Sequence, residues 1–308
     1  MTGWRELLKK KAVLISDGAW GTEFQNLGLA VGEVPELLNL ERPDAVEGVA
    51  RAYVEAGSDI ILTNTFGASR WKLDRAGLAD RTAELNRVGI GLSRRAAAGR
   101  ALVFASVGPT GDLMDPLGER TREEFVECFA EQVAACAEAG ADGILIESMA
   151  DLGESAAAVE AARRVCTLPV VASMTFQKGA RGYATMMGVT PAQGAEGLLE
   201  AGAEVVGANC GAGIDEVIEV IALMRAATNA PLWAKPNAGM PQLIGGKTIF
   251  RQEPRYMAGR VRDLVEAGAN IIGGCCGSTP EHLRLIAQAA RGLEDLARRV
   301  SGEVLAAL

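Results

Sequence analysis

Three cysteines of this chain follow short apolar segments that have the composition of buried strands. Cys210 ends "EVVGANC" (204–210), and Cys275 and Cys276 end "NIIGGCC" (270–276). If both segments end at the same edge of a sheet, the three thiols can converge. Zinc favours three thiolates, and a catalytic zinc site keeps its fourth position open for water or substrate. The spacing also allows the alternative that these cysteines are small buried residues that fill space.

The adjacent pair requires an irregular backbone. Successive residues of a regular strand point to opposite faces, so Cys275 and Cys276 could not both face one ion from such a strand. Flanking glycines permit a departure that would turn both side chains inward (Gly273, Gly274 and Gly277). A disulfide between the two neighbours is sterically awkward, and we do not expect one.

The other three cysteines have a different setting. Cys128 and Cys136 lie in a predicted third helix and Cys166 ends a predicted fourth helix, so we expect them to be packing residues. The N-terminal segment stops being apolar at Ser16 and lacks the pattern of a signal peptide. Six cysteines in such a chain indicate a reducing compartment, and we expect a cytoplasmic protein.

The composition argues against two classes of partner. Hydrophobic residues make up 49% of the 308 residues, which is enough for a large core. The formal net charge is −8 and no basic block is present, so we expect neither nucleic acid nor an anionic membrane surface as a partner. No apolar run reaches the roughly 18 residues that a membrane span needs.

One sequence motif occurs four times along the chain. Each copy predicts the end of a helix, a turn glycine and a strand that finishes in small and polar residues. The copies are "EAGSDIILTNTF" (55–66), "EAGADGILIESM" (138–149), "EAGAEVVGANCG" (200–211) and "EAGANIIGGCCG" (266–277). Four further apolar runs lie between them and complete eight predicted strands (12–20, 101–109, 168–176 and 230–239).

The predicted strands alternate with segments long enough for amphipathic helices, for example 44–57, 81–98, 121–140 and 280–299. This alternation indicates a parallel sheet covered by helices. Eight such units predict an α/β fold, a (β/α)8 TIM barrel, as a single domain over residues 1–308 with a short N-terminal helix at 1–11. A doubly wound open sheet is the alternative.

A barrel of this kind places its active site where the strands end. The predicted strand ends are polar or carry thiols, whereas the opposite ends are apolar or small. The candidate site residues at this rim are Asp17, Asn64, Thr65, Glu147, Ser148, Asn209, Cys210, Asn237, Cys275 and Cys276.

Seven motifs in order make the chain recognisable. They are "DGAWGTEFQ" (17–25), "LTNTFGAS" (62–69), "VGPTGDL" (107–113), "ESM" (147–149), "GANCG" (207–211), "KPNAG" (235–239) and "GGCCGSTPEH" (273–282). Together they resemble the zinc-dependent homocysteine S-methyltransferase family over nearly the whole chain. Within that family, the chain is most similar to the homocysteine-binding modules of cobalamin-dependent methionine synthases.

The resemblance implies a zinc ion on Cys210, Cys275 and Cys276, with the sulfur of homocysteine as fourth ligand. Coordination to a divalent cation removes the proton of a thiol, so the substrate would be held as a nucleophilic thiolate. Asn237 matches a family position that can occupy the zinc before homocysteine arrives. Its alternative role is that of a turn-forming Asn before Gly.

An amino-acid thiol also needs partners for its ammonium and carboxylate groups. Glu147 and Asp17 have the charge to bind the ammonium, and the backbone amides of "GAWG" could cradle the carboxylate. The resemblance implies the same substrate residues, which are Asp17, Gly18, Ala19, Trp20, Glu147 and Ser148. Alternatively, Asp17 caps a turn and Glu147 pairs with a basic neighbour.

Three polar residues are candidates for a supporting shell around the site. Asn64, Thr65 and Asn209 could orient the carboxylates and thiolates, or they could satisfy backbone groups at the strand ends. Two other conspicuous features are interpreted without a catalytic role. We expect His282 to be a surface or first-turn residue of a helix that begins after "STP", and we expect the glycine-rich 108–119 to be a rim loop.

The methyl donor is the last question. We expect the barrel to use almost the whole chain, without the folate and cobalamin modules of the long synthases, so the donor would be a small molecule or a corrinoid carried by a separate protein. "KPNAG" favours a methylcorrinoid such as methylcobalamin. S-methylmethionine, another sulfonium or betaine is the alternative donor, and it would need an aromatic cage of Trp20 with Phe66 or Phe176.

Three other functions remain open at this point. The chain could methylate a thiol other than homocysteine. It could also be a non-catalytic metal-binding barrel. An aldolase or lyase would need a Schiff-base lysine at the rim, and Lys235 is the lysine placed for that role.

Overall fold

Eight parallel strands form one sheet that curves into a nearly closed barrel in the computed structural model. The structure describes residues 3–30, 32–211, 213–244 and 247–308, without the side chains at 244 and 247. The barrel strands are β1 (Leu14–Ile15), β2 (Ile60–Ile61), β3 (Leu102–Val107), β4 (Gly143–Met149), β5 (Val170–Met174), β8 (Val205–Asn209), β9 (Leu232–Lys235) and β12 (Ile271–Ile272). Their order in the sheet is β1-β12-β9-β8-β5-β4-β3-β2.

Backbone and side-chain hydrogen bonds of two aspartates close the seam between β1 and β2. The amide of Asp59 donates to the carbonyl of Ile15 over 2.7 Å, and the Asp59 carboxylate accepts from the amide of Ile15 over 3.0 Å. Further along, the amide of Leu62 donates to the carboxylate of Asp17 over 2.7 Å. Two aspartates therefore satisfy backbone groups where a regular ladder is missing.

Helices cover the outside of the barrel and connect its strands. They are α1 (Trp4–Lys11), α2 (Gly21–Asn26), α3 (Leu38–Glu41), α4 (Pro43–Ala56), α5 (Arg70–Asp74), α6 (Thr82–Ala97), α7 (Arg122–Glu138), α8 (Leu152–Val165), α9 (Pro191–Glu200), α10 (Ile214–Ala227), α11 (Pro254–Gly259), α12 (Val261–Glu266), α13 (Pro280–Arg291), α14 (Glu294–Val300) and α15 (Gly302–Ala307). Short 3-10 turns lie at Pro35–Leu37 and Ala79–Arg81. Two antiparallel hairpins, β6 (Gln177–Gly179) with β7 (Gly182–Ala184) and β10 (Gln242–Ile244) with β11 (Lys247–Ile249), extend from the strand-end side.

The repeated motif has the predicted local structure, a helix end followed by a turn glycine and a strand. Its four glycines, at the ends of α4, α7, α9 and α12, have φ between 91° and 108°, which is the left-handed region that glycine adopts without strain (Gly57, Gly140, Gly202 and Gly268). Each turn leads into a barrel strand, so the four copies are four equivalent helix-to-strand junctions.

The barrel interior is filled rather than open. Inward side chains from the strands pack together, and Trp4 and Leu8 of α1 close the amino-terminal end beneath them. The other apolar face of the strands packs against the helices in a second cluster. Because the interior is closed from below, access to the strand ends comes from the carboxyl-terminal rim.

The predicted fold class is confirmed, and all eight predicted strand segments contain a barrel strand. The N-terminal helix predicted at 1–11 is observed over Trp4–Lys11, and positions 1 and 2 lie outside the described residues. The predicted helix over 280–299 is two helices in the structure. α13 ends before Gly292, and α14 begins at Glu294. None of the helices described here is long and apolar enough to cross a bilayer.

Candidate active site

The three cysteines singled out from the sequence come together at the rim. The Sγ atoms of Cys210, Cys275 and Cys276 all lie within 4.8 Å of one another. β12 ends at Ile272, so the adjacent pair lies in a turn and not in a strand, and the alternation of strand side chains does not apply to it. Ser278 fixes this turn, since its amide and its hydroxyl both donate to the carbonyl of Cys275 (3.0 and 2.7 Å). This cluster could bind a metal ion.

The thiols share one negative charge when no cation is present. Hydrogen bonds from Cys275 and Cys276 lower the pKa of Cys210 to about 3. The bond to Cys210 in turn raises the pKa of Cys275 to about 11, and the pKa of Cys276 is raised as well. A cation among the three sulfur atoms would favour the second and third thiolates.

Two further features of the cluster suit a metal ligand set. The side chain of Asn237 contributes to the lowered pKa of Cys210, while its Oδ1 is buried and has no hydrogen-bond partner among the described residues. Cys210 has φ of +59°, a conformation that is uncommon for a residue with a Cβ atom. Orphaned buried acceptors and strained backbone occur where a ligand or ion completes the structure.

A cavity of about 300 Å³ opens above the thiols. Its wall combines the cysteines with acidic, basic and aromatic side chains. The lining residues are Gly18, Ala19, Trp20, Gly21, Thr22, Pro35, Glu36, Leu62, Thr63, Asn64, Phe66, Ser106, Glu147, Ser148, Cys210, Lys235, Cys275 and Cys276. A larger cleft of about 650 Å³ lies at the opposite end, beside Trp4 and Asp142, and has no cysteine among its described lining residues.

Glu147 is one of two acidic residues in the cavity wall, and the other, Glu36, accepts a hydrogen bond from the amide of Gly67 over 2.6 Å. Glu147 lies in β4, two residues before the strand ends at Met149, and its exposed fraction is 6%. Its Oε1 accepts a hydrogen bond from the Ser106 hydroxyl over 2.5 Å. Burial raises the pKa of its carboxyl to about 7, although Lys235 and Ser106 act in the opposite direction. The carboxyl therefore titrates near neutrality, and an ammonium group beside it would favour its ionised form.

The carboxylate of Asp17 accepts hydrogen bonds from groups of the protein. The wall of the cavity, as described, includes Lys235 but not Asp17. Oδ1 of Asp17 accepts from Lys235 Nζ over 2.8 Å, and Oδ2 accepts from Trp20 Nε1 and from the amide of Leu62, both over 2.7 Å. Its carboxylate is thus already supplied with donors from the protein.

The "GAWG" segment is held against the cavity by a buried tyrosine. The Tyr53 hydroxyl donates to the carbonyl of Ala19 over 2.6 Å, and the amide of Ala19 donates to Ser278 Oγ over 3.2 Å. A Cβ atom at Gly18 would lie 2.7 Å from the Tyr53 ring, so only glycine allows this approach. α2 begins at Gly21, and amides in the first turn of a helix have no intrahelical acceptor.

Of the three supporting residues, Asn209 is the one that reaches the cluster. Its Nδ2 donates to Ser148 Oγ over 2.8 Å and lies 3.9 Å from Cys275 Sγ, and its Oδ1 accepts from the amide of Ser148 over 2.9 Å. These bonds hold Ser148 at φ of +61°, directly after Glu147. Asn209 therefore connects the ends of β4 and β8.

Asn64 and Thr65 satisfy backbone groups, which is the second of the two roles considered for them. Asn64 Nδ2 donates to the carbonyl of Pro35 over 2.7 Å, and Thr65 Oγ1 donates to the carbonyl of Ser106 over 2.8 Å. They shape the loop after β2, and Asn64 lines the cavity.

The remaining sequence predictions have mixed outcomes. Cys128 and Cys136 are buried in α7 and Cys166 follows α8, as expected for packing residues. His282 lies in the first turn of α13, but it is not a surface residue. Its ring is buried between Thr279, with which it forms a capping box, and the carbonyl of Gln252, 2.9 Å from Nε2.

Sequence reasoning missed the roles of two side chains. Ser106, within β3, supports Glu147, and Lys235, the last residue of β9, pairs with Asp17. Lys235 was considered only as a Schiff-base lysine. A signal was available, because a lysine that ends an apolar strand at the rim must be paired when it is buried.

Known proteins share this arrangement of sequence and fold. The model of the family described as homocysteine S-methyltransferase matches residues 14–290. Methionine synthase from Mycobacterium tuberculosis is 31% identical over 94% of this chain, and methionine synthase from Mycobacterium leprae is 30% identical over 92% of it. The chain spans about a quarter of the length of these relatives, 26% and 25%.

A solved structure has the same fold. The metallated form of the homocysteine methyltransferase MmuM from Escherichia coli has a TM-score of 0.79 and 23% sequence identity, and the match covers 92% of this chain and 98% of that chain. The family model spans all eight barrel strands, from β1 to β12, and both segments that carry the clustered cysteines. The chain therefore belongs to the homocysteine S-methyltransferase family.

Proposed function

We propose that this chain is a zinc-dependent homocysteine S-methyltransferase that forms methionine, and that residues 1–308 are its homocysteine-binding barrel. The convergence of three thiols at the floor of a cavity that also contains Glu147 is the observation that carries the proposal. A thiol substrate can approach the cysteine cluster while its charged end meets the acidic residue. The family to which the chain belongs supports the same activity.

Zinc is the metal that we propose for the cluster. Cys210, Cys275 and Cys276 would hold it, and the orphaned Oδ1 of Asn237 is available as a further ligand before substrate enters. Bound zinc would remove the proton of the substrate thiol and keep its sulfur nucleophilic. A reducing compartment such as the cytoplasm would keep the three cysteines in the thiol state that the site needs.

The protein side chains would contribute position and selectivity. Glu147 would accept hydrogen bonds from the ammonium of homocysteine, and the amides at the start of α2 would hold the carboxylate beside Trp20 and Gly21. Asn209 and Ser148 would fix the turn that contains Cys275 relative to the strand that contains Glu147. With both ends fixed, the substrate sulfur can attack the methyl carbon of the donor in line, and the donor leaves with the electron pair of the broken bond.

The donor that we propose is a methylcorrinoid. The curated relatives named methionine synthase support this choice. The cage that a small cationic donor needs is incomplete in the described part of the chain. Trp20 and Phe66 line the cavity, whereas Phe176 packs near Val217 on the far side of Cys210. Lys72 lies 5.6 Å from the centre of the Phe66 ring and would repel a sulfonium or betaine approaching it.

The donor is tested with zinc-loaded protein, homocysteine and methylcobalamin under anaerobic conditions. We expect methionine to form together with the absorbance of cob(I)alamin, since the corrinoid retains both electrons of the carbon–cobalt bond. Turnover with S-methylmethionine or betaine, and none with a methylcorrinoid, would contradict the proposed identity of the donor. The proposal that homocysteine is the acceptor would still stand. Turnover only with a thiol other than homocysteine would contradict the proposal that homocysteine is the methyl acceptor.

The pH dependence of substrate selectivity gives a second test. The pKa of Glu147 is raised to about 7 by burial, so its carboxyl is protonated at lower pH and ionised at higher pH. Only the ionised form can pair with an ammonium. We expect the affinity for homocysteine, divided by the affinity for mercaptoethanol, to rise with pH through about 7 and then to level off.

The ratio cancels most of the pH dependence that both thiols share at the metal. It is measured by calorimetry with zinc-loaded protein between about pH 5.5 and 8, a range that brackets the raised pKa of the carboxyl. Zinc content is determined at each pH. A ratio that stays flat across this range would argue against the pairing of Glu147 with the ammonium.

A further inference from the structure

Lys235 is a buried cation in the wall of the proposed substrate cavity. Its exposed fraction is 2%, and its Nζ lies 2.8 Å from Oδ1 of Asp17, which is fully buried. A Cβ atom at Gly273 would lie 3.1 Å from Lys235 Cγ, so this glycine leaves room for the lysine to reach β1. The pair therefore connects the ends of β9 and β1 across β12, which lies between them in the sheet.

Two carboxylates lie close to this single ammonium. Asp17 is hydrogen-bonded to it over 2.8 Å, and Glu147 lines the same cavity as Lys235. The hydrogen bond of 2.8 Å to the Asp17 carboxylate favours the charged form of the lysine. With both carboxylates ionised, these three groups have a net charge of −1, which one substrate ammonium would neutralise.

We propose that Lys235 is a positioning residue that occupies and neutralises Asp17, so that Glu147 is the carboxylate left for the ammonium of the substrate. This inference rests on the proposed function and changes the role of Asp17, which the sequence suggested as an ammonium ligand. The geometry supports it because Asp17 already accepts hydrogen bonds from Lys235, Trp20 and Leu62, and because Lys235 stands between Asp17 and the cavity.

The proposal predicts opposite outcomes for single and double substitutions. Lys235→Met leaves two buried carboxylates without a cation, so they retain a proton that the substrate must displace. Asp17→Asn frees Lys235 to pair with Glu147 and to compete with the substrate. Each single variant should bind homocysteine at least about tenfold more weakly, a loss typical of a charged hydrogen bond.

The double variant Asp17→Asn/Lys235→Met should restore binding. It again leaves one carboxylate and no competing lysine, so we expect the homocysteine Kd to return to within about threefold of that of the unchanged protein. The Kd is measured by calorimetry on zinc-loaded protein without a methyl donor. The Kd for mercaptoethanol, which has no ammonium, should change little in all three variants.

Controls separate this pattern from general damage. Zinc content is measured in every variant, and Lys11→Met serves as a matched change, because Lys11 also pairs with an aspartate, Asp59, but at the amino-terminal end. It should leave both Kd values unchanged. If the unchanged protein binds mercaptoethanol and homocysteine equally, the proposed function fails, whatever the variants do.

Three results would overturn the inference itself. A double variant as weak as Asp17→Asn would mean that Asp17 binds the ammonium directly. A double variant as weak as Lys235→Met would mean that Lys235 contacts the substrate, for example at its carboxylate. A double variant that cannot fold or hold zinc would also contradict it, because a role in charge neutralisation does not require the charges for folding. If a single variant does not fold, the homocysteine Kd of the double variant alone tests the inference.

Discussion

Replacing any one of Cys210, Cys275 and Cys276 by serine is expected to remove both the zinc and the methyl transfer. The three thiols lie within 4.8 Å of one another, so each would supply one ligand of the same ion. A serine hydroxyl stays protonated at neutral pH and is a poor replacement for a thiolate. The unchanged chain should hold about one zinc, as expected for one site. Each variant should lose it on dialysis against a moderate chelator.

The other cysteines provide the matched controls. Cys128→Ser, Cys136→Ser and Cys166→Ser should retain zinc and activity, because these residues lie in or after helices α7 and α8, away from the cluster. Cys136 already donates to Asn86 Oδ1 over 3.4 Å, and a serine could keep that hydrogen bond. Zinc is quantified by mass spectrometry of the metal. Full occupancy in Cys276→Ala would refute the assigned ligand set.

Replacing Glu147 by glutamine is expected to weaken the binding of homocysteine by roughly 1.5–3 kcal/mol, the range for a hydrogen bond to a charged group. This corresponds to an increase in Kd of about ten- to a hundredfold. The glutamine can still accept from the Ser106 hydroxyl, so the shape of the cavity should be preserved. Zinc should remain bound, and the Kd for mercaptoethanol should hardly change.

Glu154 offers a matched control for this substitution. It is also a buried glutamate whose pKa burial raises, and it accepts hydrogen bonds from Thr110 in the loop after β3, away from the described cavity wall. Glu154→Gln should leave the ratio of the two thiol affinities unchanged. An equal loss of affinity for homocysteine and mercaptoethanol in Glu147→Gln would instead make Glu147 a structural residue.

Much of the fold could be predicted because its signals are local and repeated. The apolar runs and the turn glycines place all eight barrel strands. The hairpins β6–β7 and β10–β11 were not predicted. The first is largely exposed, so it lacks the apolar alternation that identifies a strand, and its register depends on a short local turn.

Within the site, the cysteine cluster was predictable from strand ends, whereas the pairing of charges was not. Asp17 and Lys235 are 218 positions apart, and nothing local indicates that the end of β9 reaches the end of β1. Their contact depends on the order β1-β12-β9 and on the space above Gly273. The sequence identified both residues at the rim, but only the fold shows that one satisfies the other.

The central claim is that the cysteine cluster holds a zinc ion to which the substrate sulfur binds. X-ray absorption at the zinc edge tests it most directly, with zinc-loaded protein before and after addition of homocysteine. We expect three sulfur ligands at about 2.3 Å and one lighter atom before addition, and four sulfur ligands afterwards. Fewer than three sulfur ligands in the free protein, or no additional sulfur when homocysteine is bound, would contradict the account.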